Sequence, residues 1–453
     1  MENVLVLLLL LVLYADRISL STSPRPWEPS ARQYSREARE LAGQPVCAAV
    51  GRTVFHPDES NGIYPSYLWE HFRDRDFDPG VWGENYWTVT QPPIMRYLIG
   101  IGRNLGGYGQ YALTNSWRYE LSCEANVARG AMPDAKLLWW SRLPMAVLAA
   151  VSFFILFGIL RAGFGRPAAY AALLLVVSNP YIQDSVCRAM TEAPLVFSLM
   201  LAMAVTLRAL SAWERGAIGR SLAWVAFAGA VIGWGAAAKL NAIVGVAAVA
   251  GLCGLAAFRR PPECSHGSAS RAISPPWRER AQYIIAAGAI VGVVALAVFI
   301  GVNPYLYRDT AGRITRTLKN RVEEMTSQMN VMPDRAISGA RQRAEVLKDR
   351  LFERFSPFRF RGAAWINIPL SLAGLIYLAV CAWRWLSGTE SRAGPGVVGA
   401  VLLAFAVVVA GPTLLTPIDW DRYFLLPVLF CTVFTAVALT LPLKRLRTLS
   451  PGR

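Results

Sequence analysis

The stretch 143-LPMAVLAAVSFFILFGIL-160 holds 18 residues without one charged side chain. That is close to the ~20 apolar residues a helix needs to cross a ~30 Å hydrocarbon layer. Uncharged apolar runs recur at 168–182, 193–207, 222–238, 240–258, 281–302, 362–383, 396–418 and 423–443. In lipid every backbone polar group must be satisfied internally, so runs of this kind read as helices. The 453 residues are 54% hydrophobic and 17% charged, against about 45–50% and 25% in typical globular chains. A soluble or disordered chain is excluded. The fold class is all-α, a polytopic membrane helix bundle. Several runs are short or broken by Gly and Pro, which suits helices packed around a polar site. A further run at 4–15 lacks the basic leader and small-residue cleavage site of a signal peptide. It reads as a retained first span, shortened at its N-terminus, which brings the total to about 10.

The positive-inside rule assigns the sides. Loops 161–166, 208–220, 259–280 and 384–392, with the tail 444–453, hold 16 Lys and Arg and 4 acids. The short loops on the opposite side have only Arg188, Lys239 and Arg422 as basic residues. Both termini are therefore expected in the cytoplasm. This requires that 97–117 not span, which Arg96, Arg103, Arg118 and the polar stretch 104–115 support. The organisation that follows is a first span at 1–15, an outer loop at 16–142 and a six-span bundle at 143–302. An outer amphipathic loop at 303–361, three spans at 362–443 and a basic cytoplasmic tail at 444–453 complete it. Most of the net charge of +16 then records orientation in the bilayer, and nucleic acid is not a partner.

The large outer first loop, 16–142, balances 14 basic against 14 acidic residues and contains Trp27, Trp69, Trp82, Trp87, Trp117, Trp139 and Trp140. It reads as an ordered cap at the membrane interface, its tryptophans serving as interfacial anchors and core or, for one or two, as platforms for a sugar face. In 303–361, Ile314, Leu318, Val322, Met325 and Met329 share one helical face, Pro333 breaks the chain, and Val346, Leu347, Leu351, Phe352 and Phe355 follow. This is an amphipathic helical hairpin packed on the membrane or on the first loop. No cysteine pair has metal or redox spacing, although Cys47 and Cys123 share the outer loop and are placed to bridge in an oxidising compartment.

Charged groups gather on the outer face. Asp58 and Glu59, in His56-Pro57-Asp58-Glu59, are candidates for a general base, because a carboxylate shielded from water gains basicity. The alternative is helix capping by Asp58, with Glu59 in the first turn. Glu192 opens a span, where an acid is a functional candidate and also a plausible cap. Asp421, Arg422 and Tyr423 start the last span, and Lys239 stands between two uncharged runs, either snorkelling or, with Arg96 and Arg422, holding an anionic phosphate. His56 and His71 fit no standard zinc spacing, so no metal ligand is assigned, the cofactor is unknown and a divalent cation is not indicated.

Gln91-Pro92-Pro93-Ile94 with Arg96, Ser141-Arg142-Leu143-Pro144, 188–194 and Asp421-Arg422-Tyr423 resemble the core of the GT-C glycosyltransferases that use polyprenyl-phosphate sugars. The branch they look most like is that of protein O-mannosyltransferases and aminoarabinose transferases. Its members carry an acidic pair in the first outer loop, a [HK]PPL-like turn, an Arg opening the next span, an acid opening a later one, and a DRYLLP-type end. The resemblance covers about residues 55–260 well and the rest loosely. Gln91 departs from the usual His or Lys, Glu192 stands where Asp is commoner, and 111–136 looks inserted.

The resemblance implies inverting transfer of a mannose-like hexose or a pentose. The donor is a polyprenyl- or dolichyl-phosphate sugar and the acceptor is a protein, lipid or glycan, on the outer face of a bacterial inner membrane or its equivalent. Asp58 is the expected base with Glu59 as alternate, Glu192 orients the acceptor or sugar, and Arg96, Lys239, Asp421, Arg422 and Tyr423 form the phosphate and substrate side. The competing class is a transporter or flippase of a lipid-linked or anionic substrate. It fits less well, because the acids lie outside the runs and no internal repeat is visible.

Overall fold

The computed structural model describes residues 2–22, 55–259, 277–360, 362–390 and 394–441. The chain opens with α1 (Glu2–Thr22). A cap of short helices follows, among them α2 (Pro57–Ile63), α3 (Leu68–Arg73) and α4 (Ile94–Leu105), the last an amphipathic helix that does not count as a span. Then come α5 (Ala135–Phe164), α6 (Arg166–Val177), α7 (Pro180–Cys187), α8 (Glu192–Glu214), α9 (Ile218–Ala236), α10 (Gly245–Phe258) and α11 (Trp277–Gly301). The second loop supplies α12 (Thr310–Val331) and α13 (Ala340–Lys348), separated by a turn at Pro333, and α14 (Ala364–Leu386), α15 (Pro395–Phe405) and α16 (Leu425–Leu439) end the described chain. Among the described residues nine helices are long and apolar enough to cross a membrane. No extended strand forms there; one isolated antiparallel bridge joins Ala336 and Ile418. The protein is an all-α, multi-pass membrane bundle.

Ion pairs mark the two ends of the bundle. At one end Glu2 meets Arg161 and Arg166 at 3.4 and 2.9 Å, and Arg259 meets Glu214, whose Oε1 also accepts from Trp385 Nε1 at 2.9 Å. At the other end Arg17 meets Asp184, Lys239 meets Glu192 at 3.0 Å, and the Tyr97 hydroxyl donates to the Val302 carbonyl at 3.1 Å. Arg166 therefore starts at the first end and Asp184 sits at the second, so α6 and α7 together carry the chain back across the bundle. The join is at Asn179, whose side chain caps α7 by accepting from the Tyr181 N–H at 3.1 Å. The uncharged run that suggested one span over 168–182 is thus a broken helix. Likewise α1 continues past Ala15 through Asp16 and Arg17, because Asp184 neutralises the arginine that made the run look finished. The Cys47 half of the expected Cys47 and Cys123 pair lies outside the described residues.

Apolar side chains on the outward faces, such as Leu5, Leu174, Ile285, Val293, Trp365 and Ile376, are exposed as lipid-facing positions require. Between helices the contact is close and small residues carry it. A Cβ on Gly229 would stand 2.7 Å from the Val291 carbonyl oxygen, and one on Gly233 would press into the Ala295 carbonyl oxygen. These two glycines, one turn apart, let α9 lie directly on the backbone of α11. Gly233→Val should force the pair apart at a cost of about 1–3 kcal/mol. A measurable fall in the melting temperature in detergent is expected, and an unchanged value would show that the two helices do not depend on this approach.

Candidate active site

The site is built outward from one buried carboxylate. In α2 the cap is His56, not Asp58: Nδ1 of His56 accepts from the Asp58 N–H at 3.1 Å, and Glu59 Oε2 accepts from the His56 N–H at 3.0 Å. Pro57 sits at the helix start, where its missing N–H costs nothing. Glu59 is 0% exposed. Its Oε1 accepts from Arg142 Nε at 2.7 Å and from the Ala189 N–H at 2.8 Å, and its Oε2 accepts from Arg142 Nη2 at 2.6 Å. Burial pushes this carboxyl up, but the Arg142 pair and the Ala189 hydrogen bond hold it below the usual range. With four donors on two oxygens it has no free acceptor position, so the expectation of Glu59 as an alternate base is corrected. It ties the cap to α5 and to the turn before α8.

Successive helical residues point about 100° apart, so fixing Glu59 inward turns Asp58 away from it, toward Arg422 and Tyr119. Arg422 Nη1 donates to Asp58 Oδ2 at 2.7 Å, and the Tyr119 hydroxyl donates to Asp58 Oδ1. Burial pushes the Asp58 carboxyl up, yet Arg422, Tyr119 and the nearby Arg188 outweigh it, and the group stays below the ordinary carboxylate range. Burial and the Asp58 charge push the Tyr119 hydroxyl well up, so it remains a donor at neutral pH. Tyr119 lies in 111–136, the stretch that looks inserted, and Trp117 N–H, two residues earlier, donates to Ser60 Oγ at 3.0 Å.

Arg422 lies on a single 3₁₀ turn before α16, its guanidinium 4.5 Å from the Trp420 ring and 5.7 Å from that of Tyr423. Glu192, Lys239, Asn241, Thr413, Arg422, Tyr423 and Leu426 line one tight cleft of about 10 Å³, room for roughly a single water. Lys239 is held there by a chain of contacts. Arg96 donates to the carbonyls of Trp87 and, at 3.1 Å, of Gln91, which fastens the Gln-Pro-Pro-Ile turn, and the Ile94 N–H donates to the Ala237 carbonyl at 2.9 Å.

Of the site residues read from the sequence, Asp58, Glu192, Lys239, Arg422 and Tyr423 converge, and Arg96 and Asp421 do not join them. Arg96 is buried beside the Trp87 ring, and burial pushes its guanidinium down to about 10. Its work is on backbone carbonyls. Asp421 turns instead to Arg350, 3.2 Å away. Nothing local in the sequence marks Tyr119, Asn241, Thr413 or Arg350: Tyr119 and Arg350 reach Asp58 and Asp419 across long separations, and Asn241 and Thr413 join only as lining of the cleft. Among the described residues no three His, Cys, Asp or Glu gather as a metal site; His71 pairs with Asp76 at 2.7 Å.

Residues 135–261 match the family model of dolichyl-phosphate-mannose-protein mannosyltransferases. The crystal structure of the oligosaccharyltransferase of Archaeoglobus fulgidus, in complex with Zn and sulfate, superposes with a TM-score of 0.50 at 15% identity, over 98% of this chain and 50% of that one. The same enzyme tethered to an acceptor peptide gives 0.50 at 14% identity, over 99% and 50%. The chain has the fold of the GT-C membrane glycosyltransferases. ArnT from Cupriavidus metallidurans, bound to undecaprenyl phosphate, superposes less closely, with a TM-score of 0.45 at 15% identity over 97% of this chain and 60% of that one. No curated protein is similar enough to match. The chain spans about half the length of the archaeal enzyme.

Two expectations follow for the cap. Glu59→Gln leaves Arg142 buried without its anion, which costs about 3–5 kcal/mol; thermal unfolding in detergent should show the loss, whereas a normal melting temperature with lost activity would make Glu59 catalytic after all. His56 is depressed from 6.5 to about 4 by burial and by Arg188. A group depressed in the folded state contributes stability above its unfolded pKa and loses it as the pH falls to the folded one. Thermal stability should therefore decline between pH 6.5 and 4, and His56→Asn, which caps without titrating, should flatten that decline. An identical slope in the variant would remove His56 as the cause.

Proposed function

We propose that the chain is an inverting glycosyltransferase. It moves a mannose-like hexose or a pentose from a polyprenyl- or dolichyl-phosphate donor to a hydroxyl or phosphate acceptor on a protein, lipid or glycan. The observation that carries this reading is Asp58 paired with Arg422, whose side chain lines a cleft together with Glu192 and Lys239. A base and two cations sit side by side at one end of the apolar helices, where a lipid phosphate can enter from the bilayer. The family match over 135–261 and the fold support a lipid-phosphate sugar donor. The basic loops at the opposite end support an outer, non-cytoplasmic site, with both termini on the cytoplasmic side.

The residues divide the reaction between them. In a single displacement the acceptor oxygen bonds to the anomeric carbon as the bond from that carbon to the phosphate oxygen breaks, and a hydroxyl acceptor gives its proton to Asp58. The pair electrons leave with the lipid phosphate, whose charge Lys239 and Arg422 stabilise. Paired with it, Arg422 suppresses the basicity of Asp58. A phosphate that draws Arg422 away frees Oδ2 and raises the carboxylate toward working basicity, so donor binding switches on the base. Glu192 holds Lys239 in place and orients the sugar or acceptor. A second opening of about 260 Å³, lined by Glu84, Tyr86, Arg316 and Asn320 between the cap and α12, gives an acceptor a place to rest.

Asp58→Asn and Glu192→Gln should each lower transfer at least about 100-fold while the protein still inserts and folds. Transfer of radiolabelled sugar from lipid-phosphate donors by purified protein measures this. Near-normal transfer by both variants, or substrate uptake into liposomes without covalent product, would overturn the assignment in favour of a transporter.

A further inference from the structure

Arg350 is a buried cation outside the cleft that faces three acids. It sits in a wide helical turn, Asp349–Arg354, with 5% of its side chain exposed. Nε and Nη2 donate to the two Asp419 oxygens at 2.9 and 2.8 Å, a forked geometry open to arginine and closed to lysine. Nη1 faces Asp421 Oδ1 at 3.2 Å. Burial lowers the affinity of this guanidinium for its proton, but Asp419, Asp421 and Asp349 together push its pKa above the ordinary value, so the charge is permanent.

The turn that carries Arg350 is itself anchored to the bundle. The Phe355 ring stacks on Tyr181 at 3.8 Å and 10°, the Asn179 amide donates to the Phe355 carbonyl at 2.7 Å, and Asn367 of α14 donates to the Phe352 and Phe358 carbonyls at 2.9 and 2.8 Å. Opposite it, the segment 414–421 has little structure of its own and is clamped from outside. Arg343 donates to the Leu414 and Thr416 carbonyls at 2.9 and 2.8 Å, the Ile337 N–H to the Pro417 carbonyl at 2.7 Å, and the Asp419 N–H to the Arg335 carbonyl at 2.9 Å. The residue after this clamped segment is Arg422.

We propose that Arg350 is a positioning residue for the transfer reaction: by gripping Asp419 and Asp421 it holds Arg422 on Asp58 and over the cleft where the donor phosphate binds. The proposal rests on the reading of Arg422 given above. It makes the second outer loop part of the site although none of its side chains lines the cleft, and it explains why a buried arginine holds two acids separated by a single residue.

The test is a double-mutant cycle on the full chain in lipid nanodiscs, with undecaprenyl phosphate as the probe and melting temperature read alongside. Arg422→Met should weaken binding of the probe about 30-fold and Arg350→Met about tenfold, with the double variant within about threefold of Arg422→Met alone, because the two act through one contact. If Arg350→Met does not give folded protein, Asp421→Asn, which leaves the fork on Asp419 intact, takes its place in the cycle. Multiplicative losses in the double variant, or a lowered melting temperature with unchanged affinity, would reduce Arg350 to a structural residue and overturn the proposal. No effect of Arg422→Met on binding would instead remove the functional reading beneath it.

Discussion

The site depends on the buried pair of Glu59 and Arg142. Two charges taken out of water cost several kcal/mol, and they are tolerated only when every acceptor position is filled. Here the filling groups come from three separated pieces of chain: the cap through the His56 N–H, α5 through Arg142, and the turn before α8 through the Ala189 N–H. Satisfying one carboxylate therefore docks the cap onto the bundle at one angle. That angle places Asp58 opposite α16 and Glu192 beside the end of α9.

Around the cleft the charges alternate, Asp58 against Arg422 and Glu192 against Lys239. Both pairs are partly shielded, so each stabilises its members more than a surface pair does, and neither is locked in a filled network like that of Glu59. Such an arrangement is preorganised for an anion without being empty of one. On the proposed function, a phosphate competes for cations that already have partners, and the acids it displaces gain basicity.

The bundle was legible in the sequence because lipid imposes a simple rule, an uncharged run of fixed length, and chain segments obey it one at a time. The errors lie where a partner elsewhere changes the rule. Asp184 hides the charge of Arg17 and lengthens α1, and Asn179 breaks an apolar run by capping α7. Glu192, Lys239 and Arg422 are conspicuous in the sequence because charges at the ends of spans are rare, and Asp58 because it belongs to an adjacent pair of acids in a loop. Tyr119 and Arg350 are not, since a tyrosine in an inserted loop and one arginine among the 13 basic residues of 303–361 look like any others until the fold brings them to Asp58 and Asp419.

The same device occurs twice at this site. Glu59 and Asp58 are neighbours on an α-helix, and Asp421 and Arg422 are neighbours on a 3₁₀ turn, where successive side chains diverge by about 100° and 120°. In each pair one residue faces an arginine from another element, Glu59 fully buried on Arg142 and Asp421 half-buried beside Arg350, and its neighbour turns the other way, to the Asp58–Arg422 pair. The anchoring residue takes the ion pair that cannot move, which leaves the other charge able to change partners when an anion arrives. A carboxylate that did both would be either too firmly paired to accept a proton or too loosely held to be in place for one. Adjacent charged residues at the start of a helix are thus less redundant than they look, because the backbone forces them apart and the tighter-bound one decides where the other points.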